Sequence, residues 1–264
     1  MVKKNGFLKK AYISLVFLFL YAPIIVLMVF SFNDSKLKNS WVGFTLKWYK
    51  ELFNNQEILT AFYNTIIIAI LATIFATLIG TLAAVGIHYM RYWRKTLILN
   101  INYIPILNPD IVTALSLMIL YSMFGLNLGF MTMLLSHITF TTPYVILTIL
   151  PKLKQMDKNL PAAAMDLGAT PWYTFRKIII PEIKPGIGAG ALLAFTLSLD
   201  DFVVSFFTTG NGFNNLSITV FSMAKKGINP AINALSTIMF ATVLVLLIIV
   251  NKKSFIPKKK AKKN

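Results

Sequence analysis

The sequence predicts an all-α membrane protein with six transmembrane helices. Hydrophobic residues make up 56% of its 264 residues and charged residues 13%, with a mean hydropathy of +0.69. That is more apolar surface than a soluble domain of this length buries. Six stretches, at about 12–32, 61–87, 98–123, 131–151, 186–208 and 231–250, reach the roughly 20 apolar residues that one crossing requires. Hydrocarbon offers no partner to a free backbone N–H or C=O, so each crossing must be helical.

The first stretch follows Lys3, Lys4, Lys9 and Lys10 and so imitates a signal peptide. It extends from Tyr12 to Phe32 with no small-residue cleavage pattern behind it, and is expected to remain as a spanning helix after a short cytoplasmic tail, residues 1–11. Segment 33–60 places Trp41, Trp48, Tyr49 and Phe53 among polar residues. It reads as an external connection whose rings rest at the water–lipid boundary. In the third stretch Pro105 and Pro109 predict a broken helix, an arrangement useful to a transporter because non-helical backbone at membrane depth must border protein or an aqueous cavity. The transmembrane domain covers 12–250, and 251–264 is a basic cytoplasmic tail whose like charges repel one another beside anionic headgroups.

Lysine and arginine set the orientation. The N-terminal tail holds four, the 88–97 loop three (Arg91, Arg94, Lys95), the 152–185 loop six and the C-terminal tail seven, twenty in all. The opposite side holds four in 33–60, none in 124–130 and two in 209–230, six in all. This bias places both termini in the cytoplasm. It also explains the net charge of +17 without a nucleic-acid partner. The absence of cysteine excludes disulfides and thiolate chemistry, and His88 and His137 are too far apart to form a metal pair on one helix. Both read as interfacial or hydrogen-bonded packing residues. Gly186, Gly188 and Gly190 partly imitate a dinucleotide fingerprint, but no strand precedes them and close helix packing explains them better. No phosphate-binding Gly-x4-Gly-Lys motif occurs, so the chain cannot hold ATP by a P-loop, and energy must come from another polypeptide. No nucleophile and base arrangement argues for an enzyme.

The segment from Asn159 to Pro181 predicts a short helix starting near Pro161, with Ala162, Ala163 and Ala164 offering little bulk, Asp166 beyond them and a left-handed stop at Gly168. Thr170 then caps a second helix that begins at Pro171 and ends before Pro181. Such a small-residue helix–turn–helix between two spans suits a groove on another protein.

These residues resemble the Glu-Ala-Ala loop of binding-protein-dependent ABC importer permeases. Ala163, Ala164, Gly168, Ile178 and Pro181 fall in its register, while Ala162 stands at the Glu position and Ile180 at the Leu position. Tyr21 to Val26, Asn108 to Val112, Ser136 to Phe140 and Leu197 to Ser205 are similar to the PotC-type permeases of spermidine/putrescine importers. The resemblance implies a type I ABC importer (MetI-like) bundle that pairs with a homologous permease. It also implies that residues 160–181 dock on an ATP-binding subunit, that two such subunits on the cytoplasmic loops hold ATP and magnesium, and that an external polyamine-binding protein delivers the solute. Without the Glu, docking is left to shape and the remaining polar groups.

Asp200 and Asp201 lie about fifteen residues into the fifth stretch. An acid in hydrocarbon costs on the order of 2.5–3.5 kcal/mol, so neither is expected to face lipid. On a continuous helix Ser198, Asp201, Ser205 and Thr208 share a face, which makes Asp201 the candidate for lining a polar path and turns Asp200 toward a partner or neighbouring helix. Two readings stand for the pair: fixed negative charge that replaces the water lost by polyamine ammonium groups, or buried structural acids bonded to hydroxyls or to a partner lysine. Asp110 likewise reads either as a lining residue or as an acid in the first turn of a half-helix. Two rivals remain: the same fold serving another solute, and an ion-gradient-driven carrier with inverted repeats and no ATPase.

Overall fold

The computed structural model describes residues 6–35, 40–157, 159–226 and 230–251. Lys3, Lys4 and the tail from Lys252 onward lie outside them. The described chain is helical, with one isolated antiparallel bridge between Asn33 and Phe44. It divides into two compact units, Met1–Leu59 with Val220–Asn264, and Thr60–Thr219.

In the first unit α1 (Gly6–Phe30) starts ahead of the expected position. None of its most apolar window is buried, so lipid or another subunit must cover it. α12 (Ala231–Asn251) packs on α1 and on α2 (Lys47–Asn54). The connection after α1 departs from the expectation that all its rings sit at the lipid boundary. Trp41 and Phe53 are exposed, but Trp48 is 2% exposed and its Nε1–H donates to the Asn33 carbonyl at 2.8 Å. An indole whose one polar atom is satisfied inside protein has no need of the interface.

The second unit holds most of α3 (Gln56–Tyr89), then α4 (Tyr92–Leu107), α5 (Asp110–Met123) and α6 (Phe130–Gln155). It continues with α7 (Asn159–Asp166), α8 (Pro171–Thr174), a π-helical turn (Phe175–Ile179), α9 (Ile180–Asp200), α10 (Val203–Thr208) and the start of α11 (Leu216–Lys226). Among the described residues, four helices are long and apolar enough to cross a membrane: Lys9–Phe30, Gln56–Tyr89, Phe130–Gln155 and Pro171–Asp200. α4 and α5 meet the same test together but bend by 105°, so the expected third span is not one rod. The bend falls at Asn108-Pro109, where proline lacks an N–H and holds Asn108 extended at ψ 143°. Pro105 stays inside α4. Of α12, the stretch Ala231–Val245 is apolar but shorter than the other four.

Two further expectations are corrected. The helix begun at Pro171 does not end before Pro181; it runs to Asp200 as one rod. Pro181 has no N–H for the Lys177 carbonyl, and the chain absorbs this with the π turn, in which the Ile180 N–H reaches Phe175 C=O. The expected continuous helix 186–208 breaks after Asp200.

α6 and α9 form the core of this unit, with Val145, Ile149, Leu153, Ile183 and Ala194 buried. Glycine permits their approach. A Cβ on Gly190 would lie 2.6 Å from Thr148 Oγ1, and one on Gly186 2.9 Å from Lys152 Cγ, whereas Gly188 faces open space. Only two of the three glycines therefore serve the packing.

Candidate functional site

The break after α9 gathers most of the residues singled out by sequence. Asp201 leaves the helical conformation (φ −61°, ψ 129°), and α10 begins two residues on. Its Oδ1 accepts the Val204 N–H at 3.3 Å and its Oδ2 the Ser205 N–H at 2.7 Å, so the carboxylate satisfies donors that a helix start leaves without partners. The side chain of Asp201 is 9% exposed, while Asp200 is exposed.

His137, from the middle of α6 and fully buried, joins the two sides of the break. Nδ1 lies 2.6 Å from Ser198 Oγ, and Nε2 lies 3.0 Å from Ser205 Oγ and 3.6 Å from Asp201 Oδ2. Ser198 and Ser205 thus converge as the helical face predicted, although the helix between them is interrupted. Asn215 Nδ2 donates to Ser205 Oγ at 2.8 Å, and Thr132 of α6 donates to the Thr208 carbonyl at 2.8 Å. α10 is consequently tied to α6 at both ends.

Asp110 is the first residue of α5 and is exposed. α5 packs along α10, which brings Asp110 close enough to act electrostatically on Asp201. Three carboxylates therefore share one neighbourhood, and among the described residues no Lys or Arg lies within ion-pair distance of them. Sequence reasoning did not foresee Asn215, or that His137 is the hub. The capping preference of aspartate was a readable signal for the break at Asp201.

The second site candidate is the turn after α7. Gly168 takes φ +87°, its N–H bonds Met165 C=O at 2.9 Å, and the Ala169 N–H bonds Ala164 C=O at 3.0 Å. This pair of bonds is the Schellman stop that the sequence predicted. The Thr170 side chain accepts the Tyr173 N–H at 3.3 Å and caps α8. Ala162, Ala163, Asp166, Gly168 and Pro181 are exposed, and Ala164 and Ile178 half-buried. Leu167 is 90% and Trp172 67% exposed. Beside them an open hollow of about 490 Å³ is lined by Ala164, Leu167, Thr170 and Tyr173. Large apolar side chains are thus left bare beside a capped turn.

Residues 76–252 match the model of the binding-protein-dependent transport system inner membrane component family. The chain belongs to this family. It is a membrane permease subunit of such a system, and its relatives are transport permeases, not enzymes. It is 42% identical over 91% of both chains to the spermidine/putrescine transport system permease protein PotC of Escherichia coli (strain K12). The corresponding PotC of Haemophilus influenzae is 41% identical, covering 92% of this permease and 95% of its own length. The putrescine transport system permease protein PotI of Escherichia coli (strain K12) is 40% identical over 86% and 83%. Among solved structures, a chain of a bacterial alginate ABC transporter in complex with alginate pentasaccharide-bound periplasmic protein superposes with TM-score 0.73 at 18% identity, over 99% of this permease and 98% of that chain. A chain of the inward-facing MetNI methionine ABC transporter gives TM-score 0.61 at 17% identity, over 74% and 93%. The fold is thus that of ABC importer permeases, which the expected MetI-like bundle described.

Proposed function

We propose that this permease forms half of the translocation pathway of an ATP-driven polyamine importer. The observation that carries the reading is the 42% identity to a spermidine/putrescine permease over 91% of the chain, joined to three acids around the α9–α10 break with no Lys or Arg at ion-pair distance among the described residues. A polyamine sheds water from its ammonium groups only where fixed negative charge replaces it. Asp200 and Asp110, both exposed, are positioned to meet such a cation, and Asp201 adds its field from behind while capping α10. An anion pathway would instead present basic groups or free helix N-termini.

In the assembly we infer, α4–α5 and α12 complete six spans and both termini face the cytoplasm. A second, homologous permease provides the other half of the pathway, and an external polyamine-binding protein delivers the solute. Two ATP-binding subunits dock on the cytoplasmic loops, one of them on residues 160–181, and hold ATP and magnesium; no cofactor is assigned to this chain. The continuity of α8, the π turn and α9 supports a rigid-body connection from that surface to the break.

Uptake of radiolabelled spermidine, with putrescine as competitor, tests the substrate, using Asp200→Asn and Asp110→Asn at equal membrane abundance. Unchanged uptake in both variants and in their combination would remove the acids from the pathway. Crosslinkers placed at Leu167 and Trp172 test the docking; capture of the ATP-binding subunit is expected, and tag accessibility of that segment from outside the cell would overturn it.

A further inference from the structure

The chain has two histidines, and the transport reading above uses neither. His137 is the one that touches both sides of the break, Ser198 at the end of α9 and Ser205 in α10.

Donor and acceptor roles along this network fix its proton. Asn215 is oriented by its Oδ1, which accepts the Ile218 N–H at 3.0 Å, so Nδ2 is the atom that donates to Ser205 Oγ at 2.8 Å. The Asp201 carboxylate, held against Ser205 by the 2.7 Å bond from the Ser205 backbone N–H and able only to accept, is the acceptor available to the Ser205 hydroxyl hydrogen. Ser205 Oγ therefore meets His137 as an acceptor, and Nε2 carries a hydrogen. Asp201 already accepts two backbone N–H groups, and at 3.6 Å it makes no direct hydrogen bond to Nε2. A second ring proton would leave a fully buried cation without a bonded counter-ion. Nδ1 is then the acceptor for the Ser198 hydroxyl at 2.6 Å.

We propose that His137 is a positioning residue: a neutral imidazole protonated at Nε2 that straps α9 to α10 across their break and holds the Asp200–Asp201 corner in place. The hydrogen-bond direction runs one way, from Ser198 through the ring and Ser205 to the Asp201 carboxylate. Each group orients the next, and the corner is a fixed bend in place of a free hinge. Its bearing on transport rests on the reading that this corner borders the cation path; its protonation does not.

Nitrogen NMR of the importer assembled from this permease labelled in both histidine ring nitrogens and unlabelled partner subunits tests the protonation, because His88→Gln leaves His137 as the only labelled histidine. One nitrogen is expected to carry no hydrogen and to be assigned to Nδ1. A doubly protonated ring, or a hydrogen on Nδ1, would overturn the proposal. The second arm is substrate uptake. Glutamine offers one acceptor and one donor at the end of its side chain and carries no exchangeable charge. His137→Gln is expected to keep at least about half of the uptake, and His137→Leu to lose about tenfold through the stranded serines. Equal loss in both variants would give the ring a task glutamine cannot perform and sink the strap. If the leucine chain fails to accumulate, Ser198→Ala and Ser205→Ala replace it; each is expected to lower uptake several-fold, and wild-type uptake in both would likewise sink the strap. An importer that moves no polyamine even as wild type refutes the substrate reading, and the spectrum alone then decides this one.

Discussion

Gly80 of α3 faces Val145 of α6 so closely that a Cβ on the glycine would lie 2.7 Å from Val145 Cγ1 and 2.8 Å from its Cβ. Val145 is fully buried and also lies against Gly190 of α9, where an added Cβ would come within 3.2 Å of the same Cγ1. One β-branched side chain is thereby held between two helices that lack side chains at the contact. In hydrocarbon, where apolar burial does not drive association, such close approach is a main source of cohesion.

Gly80→Ala and Gly190→Ala are therefore expected to destabilise the permease by about 1–3 kcal/mol each through overpacking. Gly188→Ala, in open space, is expected to leave it unchanged. Thermal unfolding of the detergent-solubilised importer reads the difference, and equal behaviour of Gly188 and Gly190 variants would contradict the packing described.

Asn33 organises the connection after α1. Its Nδ2 donates to Ser40 C=O at 2.8 Å, its Oδ1 accepts the Val42 N–H at 2.9 Å, and its own carbonyl receives the Trp48 indole. Asn33→Ala is expected to cost about 0.5–1.5 kcal/mol, the range for an ordinary hydrogen bond, because Ser40 and Val42 are exposed and water can replace the lost side chain. Trp48 fluorescence should shift to the red and become accessible to aqueous quenchers, whereas Trp41→Phe should change neither stability nor folding.

The adjacent acids are expected to separate by phenotype. Asp201→Ala removes a helix cap and should cost about 0.5–2 kcal/mol, with the loss seen as faster proteolysis or a lower melting temperature. Asp200→Ala removes an exposed charge and should leave stability within about 0.5 kcal/mol while uptake falls. The opposite pattern would exchange their roles.

At Gly168 the left-handed backbone makes any side chain costly. Gly168→Val is expected to lose about 1–2 kcal/mol locally and to uncouple ATP hydrolysis from uptake, with Gly168→Asn milder because asparagine tolerates this conformation. ATP turnover measured beside substrate flux checks this, and normal coupling in the valine variant would remove the turn from the docking surface.

Local chemistry was the part legible in the chain. The stop at Gly168 and the cap at Thr170 depend on one residue's freedom at positive φ and one hydroxyl within three residues, and both appear where expected. The bend at Asn108-Pro109 is of the same kind. Pro181 misled because its missing N–H permits two outcomes, a stop or a π turn. The choice between them belongs to the packing of Ile179 and Ile183 against α6, which no local rule contains. Trp48 misled for a similar reason: an interfacial indole and a buried one share the same flanking residues, and only the Asn33 carbonyl distinguishes them.

Hydropathy, charge and short motifs by themselves determined that the chain crosses a membrane as helices and that its loop turns at Gly168; the docking role of 160–181 and the role of the acids are proposals that rest on the same motifs. The first two are properties of transfer free energy and of backbone geometry over a few residues. The capping preference of aspartate allowed a break between Asp200 and Val203, but tertiary structure alone decided that a histidine sixty-four residues before Asp201 joins the two sides. Such contacts have no local signal, because their stability comes from bringing distant hydroxyls, an imidazole and a carboxylate into one dry space, where each must find the others.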